Sequence, residues 1–128
     1  MSEWVRSPVV GGEHPPLKKR MKQFSKSNRV EFRNCLMNFE AFFEHLQLGG
    51  RPHQSSLVRS EGEGLFALDQ DGPGNPKLAL RLDVYPDQQT KTLHLLQMGD
   101  KRTQQEDVNA CHQSIRQLRA SREIEQSP

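Results

Sequence analysis

The sequence predicts an α+β domain: an N-terminal helix pair packed on a small, mostly antiparallel sheet of 3-5 strands, with another helix at the C-terminus. Three stretches predict it. Up to Gln47, Phe32, Leu36, Phe39, Phe43 and Leu46 recur every three or four residues, the spacing of one apolar helix face. Further on, Leu78, Leu80, Leu82 and Val84 alternate with Ala79, Arg81, Asp83 and Tyr85, the mark of a strand with one buried face. After Gly99, Val108, Cys111, Ile115 and Leu118 return to helical spacing. Strands in sequence, flanked by helices, belong to the α+β class.

The elements follow in order. Residues 1–14 hold Trp4, Val5, Val9 and Val10 among Ser, Pro and Gly, which fits either a short first strand or an irregular arm. Pro15 and Pro16 suit a helix start. Leu17, Met21 and Phe24 share one side of a short basic helix from Leu17 to about Phe24. Asn28, with Glu31 three residues on, predicts a capping box for the long helix. Gly49-Gly50 ends that helix and Pro52 keeps it from resuming. Leu57 and Val58 are candidate strand residues, and Leu65-Phe66-Ala67-Leu68 reads as a short strand. The DQDGPGNP loop at 69–76 turns the chain back as a hairpin. Pro86-Asp87 opens a polar turn before a strand from Thr92 to Met98, more apolar than its neighbour and so more central. Thr103 and Glu106 predict a second capping box. The layout is therefore an arm over 1–14, one domain over 15–122 and a frayed tail over 123–128.

Composition narrows the class. A hydrophobic fraction of 33% allows a compact core but no apolar run near the roughly 20 residues of a membrane helix, so no membrane partner is expected. The start, MSEWVRSPVV, lacks the basic and apolar regions of a signal peptide, and a cytoplasmic protein is the expectation. Cys35 and Cys111 each fall on a helix stripe and read as reduced core thiols. No Cys-x-x-Cys spacing occurs and the five histidines are scattered, so neither a metal nor another cofactor is expected. Charge is uneven: residues 1–34 carry eight Lys/Arg against three Asp/Glu, whereas 35–100 carry five against nine. A basic N-terminal third, centred on Lys18, Lys19 and Arg20, makes phosphate or RNA binding a candidate role; the competing reading of that run is a solvated helix face. Alternation also puts Arg81 on the face the leucines leave, where it can meet Lys101 and Arg102 from the loop after the last strand.

Four pieces in this order, FEAFFEHLQLGGRP, LVRSEGEGLFALDQ, LALRLDVYPD and LLQMGDKRTQQEDVNACHQSIRQL, resemble the RelE/ParE/HigB superfamily of toxins from type II toxin–antitoxin modules. The resemblance spans roughly residues 28 to 120 and lies nearer the HigB-like branch. It implies a RelE/ParE-like fold, a cognate antitoxin as partner, and a ribosome-dependent endoribonuclease that cuts messenger RNA. There the ribose 2′-OH attacks its neighbouring phosphate. By resemblance, Arg81 stands at a phosphate-holding position, Lys101 and Arg102 match the basic pair after the last strand, and Arg59 matches basic residues before the GLFAL strand. The family's strand lysines fall on Ala67 and Asp69 here, a departure. If cleavage occurs, His53, His94 and Asp69 are the base candidates. The alternatives are a non-catalytic relative that binds a protein target, as ParE-like gyrase poisons do, a degenerate inactive relative, or an RNA- or ribosome-binding module. A solvent-open convergence of Arg59, Arg81, Lys101 and Arg102 favours the nuclease; an Arg81 buried against Asp83 removes its main residue.

Overall fold

The computed structural model describes residues 3–8 and 17–126. The elements are β1 (Val5–Pro8), α1 (Leu17–Ser27), α2 (Arg29–Gln47), a 3-10 turn (Pro52–Gln54), β2 (Val58–Gly62), β3 (Leu65–Asp69), β4 (Arg81–Asp87), β5 (Thr92–Gly99) and α3 (Gln104–Gln126). The sheet is mixed, in the order β1-β5-β4-β3-β2, with β1 parallel to β5 and the other neighbours antiparallel. The α+β class is as the sequence predicts, but one strand, β1, precedes the helix pair, and β4, not the more apolar β5, is the middle strand of the five. The readings of Val9, Val10, Pro15 and Pro16 lie outside the described residues, as do the last two residues of the tail.

The large core lies between the sheet and the helix pair. Phe39, Phe42, Phe43 and Leu46 of α2 meet Leu68, Leu82, Val84, Leu93 and Met98 of the sheet, joined by Leu17 and Phe24 of α1. Burying each such side chain contributes about 1.5–3 kcal/mol, which offsets the like-charge crowding along α1. A smaller cluster, Leu65, Tyr85, Leu96, Cys111 and Ile115, seals α3 against the opposite face. Both cysteines are free and buried.

That second layer corrects the one-face reading of β4. The strand begins at Arg81, not Leu78, and all seven of its residues are buried because helices cover both faces. The pairing shifts at Asp83/Val84, so that Asp83 faces Gln97 and Val84 faces Leu95. A bulge of this kind adds one residue to a strand and bends it. Leu96 thereby joins the α3-side cluster.

Neither predicted capping box forms. The Asn28 side chain makes no cap bond. Glu31 accepts instead from the backbone N–H groups of Lys77 and Leu78 at 2.9 and 3.0 Å, fastening the start of the β4 approach to α2. Those bonds hold its carboxyl below the usual range. Thr103 donates to Asp107 at 2.7 Å, and Glu106 is exposed. The helix expected to fray after Arg122 continues to Gln126.

Candidate functional site

Arg81 leads the residues by which the sequence nominates a phosphate site, and it is not on an open face. It is 3% exposed. Its Nε donates to Asp83 at 3.2 Å, its Nη1 to the Asp100 carbonyl at 2.8 Å and its Nη2 to Asp107 at 2.9 Å. All three guanidinium nitrogens are engaged inside the protein. Asp107, fully buried on the first turn of α3, also takes Arg20 Nη1 at 2.8 and 2.9 Å. Arg20 belongs to α1, so the chain Arg20–Asp107–Arg81–Asp83 stitches the helix pair, α3 and the middle of the sheet together. Buried charges require such mutual pairing. Arg20 Nη1 is thereby committed to this network and not to the open face of α1.

Asp83 carries the electrostatic strain of this network. Burial pushes its carboxyl up to about 6; Arg81 pulls it down and Asp107 pushes it up further. Its second oxygen has no hydrogen-bond partner.

The remaining candidates are dispersed. Arg59 on β2 pairs with Asp69 at 3.0 Å and approaches Glu61 at 3.5 Å. One predicted phosphate ligand thus neutralises one predicted base. Arg102 folds back on Asp100 at 2.8 Å, which lowers that carboxyl. Lys101 is exposed beside it. His94 is buried, its ring stacked on Tyr85 with centroids 5.7 Å apart. Lys18 and Lys19 are exposed on α1. Arg59, Arg81, Lys101 and Arg102 do not converge in one open concavity.

His53 is different. It is exposed and lines a cavity of about 390 Å3 where β4 runs past the start of β3. Gly64, Phe66, Tyr85, Asp87 and Arg119 also line it. Arg119 of α3 donates to the Tyr85 hydroxyl at 3.4 Å and to the Glu63 carbonyl at 3.2 Å. Gly64 has φ +85, and a Cβ there would come within 3.2 Å of the Tyr85 ring, so a larger residue would crowd this wall. Sequence reasoning missed Arg119 and Asp107. Asp107 was open to suspicion as an acid in the first turn of a helix that follows basic residues. Nothing local marked Arg119.

Chemically, the cavity places an imidazole, a phenol and a guanidinium around a small open space. No group of three or more potential metal ligands occurs among the described residues, and none of their helices is long and apolar enough to cross a membrane. No family model, curated protein or solved structure matches the chain.

Proposed function

We propose that this chain is a toxin of the RelE/ParE/HigB kind, partnered by a cognate antitoxin, and that it acts by binding a macromolecular target and not by cutting RNA. The observation that carries the mode of action is Arg81. Three of its five N–H groups are taken by Asp83, Asp100 and Asp107, and the residue is 3% exposed, so the remaining two face the interior and not a phosphate in solvent. The toxin class rests on the resemblance of the four sequence pieces quoted above. The test is inducible expression in a bacterial host while bulk messenger RNA is followed. Growth arrest with intact message supports this reading. Healthy growth at high expression overturns the toxin class, and arrest with cleaved message overturns the mode of action.

The cavity beside His53 favours a second reading, an endoribonuclease whose site has moved there. His53 would take the proton of the 2′-OH as that oxygen attacks the adjacent phosphorus and would return it through water to the departing 5′-oxygen, giving a 2′,3′-cyclic phosphate and restoring the neutral imidazole. Arg119 would hold a phosphate oxygen. This reading requires that His53→Ala and Arg119→Ala each abolish cleavage.

A further inference from the structure

Helix α1 carries five basic residues and no acidic one in its eleven positions, LKKRMKQFSKS. Arg20 turns inward to Asp107, while Leu17 and Phe24 join the core and Met21 packs against it. The outward face is left to Lys18, Lys19, Lys22 and Lys26, all exposed. Among the described residues the ion pairs are made by arginines: Arg6, Arg20, Arg59, Arg81, Arg102 and Arg116. None is made by these four lysines, of which Lys18, Lys22 and Lys26 stack like charges at four-residue intervals, an arrangement that weakens a short helix.

We infer that this face of α1 is a docking surface for the phosphate backbone of duplex DNA. The inference goes beyond the toxin reading and does not depend on it. Three observations select the occupant. A protein partner needs aromatic or aliphatic anchors, and among the described residues the exposed large apolar side chains, Val5, Met37 and Leu48, lie off α1. A single strand needs aromatic rings for its bases, and the aromatic residue of α1, Phe24, is buried. A duplex backbone needs neither anchors nor stacking rings, because charge alone can hold it. Lys18 and Lys26 stand eight residues, about 12 Å, apart along the helix axis. The B-DNA major groove is about 12 Å wide, so the end lysines reach phosphates on its two lips with Lys22 between them. The deep, narrow major groove of A-form RNA does not offer that span. The contacts carry no base readout, so binding is indifferent to sequence.

The experiment is fluorescence anisotropy of a labelled 20-base-pair DNA duplex with the intact protein over a range of NaCl concentrations. With Lys22 over the groove, neutralising about three phosphates predicts a log–log salt slope near −3, and so roughly a fiftyfold loss of affinity between 50 and 200 mM salt. Lys18→Gln/Lys22→Gln/Lys26→Gln, which removes no buried contact, should weaken binding at least tenfold and flatten the slope. Lys22→Glu/Lys26→Glu should abolish binding, whereas Lys91→Glu, the same kind of charge change in the β4–β5 turn, should leave it within twofold. Circular dichroism confirms that the variants are folded. Absence of saturable binding, affinity unmoved by the α1 variants, equal or tighter binding to an RNA duplex of the same sequence, or displacement by poly-glutamate as efficient as by unlabelled duplex would each overturn the inference.

Discussion

The Arg81 guanidinium lies 2.9 Å from the Asp107 carboxylate, with the two side chains 4% and 0% exposed, and this contact ties β4 to α3. Arg20 reaches the same carboxylate from α1. Removing the acid leaves two buried cations without their shared partner. Asp107→Ala should therefore destabilise the protein by about 3–5 kcal/mol in urea unfolding. A loss below 1 kcal/mol would contradict the buried network.

Asp83 predicts an unusual pH profile. Its carboxyl is raised to about 6 in the folded protein, so the native state holds that proton more tightly than the unfolded chain does. The stabilisation is fully present below about pH 4 and is lost as pH rises through about 6, a change of roughly 3 kcal/mol. Glu31 and Asp100, whose carboxyls are lowered, act in the opposite sense as the medium becomes more acidic than the ordinary carboxylate range. Stability should thus be greatest near pH 4–5. Urea midpoints measured from pH 4 to 8 test this, and Asp83→Asn should flatten the decline between pH 4 and 6.

Glu31 holds two backbone N–H groups of the segment that leads into β4. Glu31→Ala leaves those donors without their acceptor and should cost about 2 kcal/mol. Hydrogen exchange at Lys77 and Leu78 should accelerate more than at β5. Equal acceleration throughout would indicate a global loss instead.

The two thiols should be inert in the native state. Burial pushes Cys35 up to about 12 and raises Cys111 as well, so little thiolate is present at neutral pH. A thiol reagent such as DTNB should label neither cysteine within minutes at pH 7.5 and both in guanidinium chloride. Rapid labelling of the native protein would contradict the placement of these helices.

Much of the fold was legible because its signals are local. The Phe32-to-Leu46 spacing fixes α2, with Gly49-Gly50 after it, and the structure ends that helix at Gln47. The β4 alternation misled because its rule assumes one wet face; α3, whose first turn lies some twenty residues beyond β4, covers the second. Arg81 looked exposed for the same reason, since its partner Asp107 is 26 positions away. Glu31 looked like a cap because the backbone it holds is 46 positions off. The basic run was legible as Lys18, Lys19 and Arg20, but not its continuation to Lys22 and Lys26 along one helix face. What the sequence did not disclose was that Arg20, in the same run, turns inward.

Under the proposed function this protein binds its target and leaves RNA uncut. This is tested most directly by incubating the purified protein with ribosomes programmed with a defined messenger RNA and mapping the ends by primer extension. The account predicts full-length message at protein concentrations that arrest growth on expression. New 5′ ends that require both the ribosome and the protein, and that vanish with His53→Ala or Arg119→Ala, would contradict it and move the active site to the cavity at the end of β4.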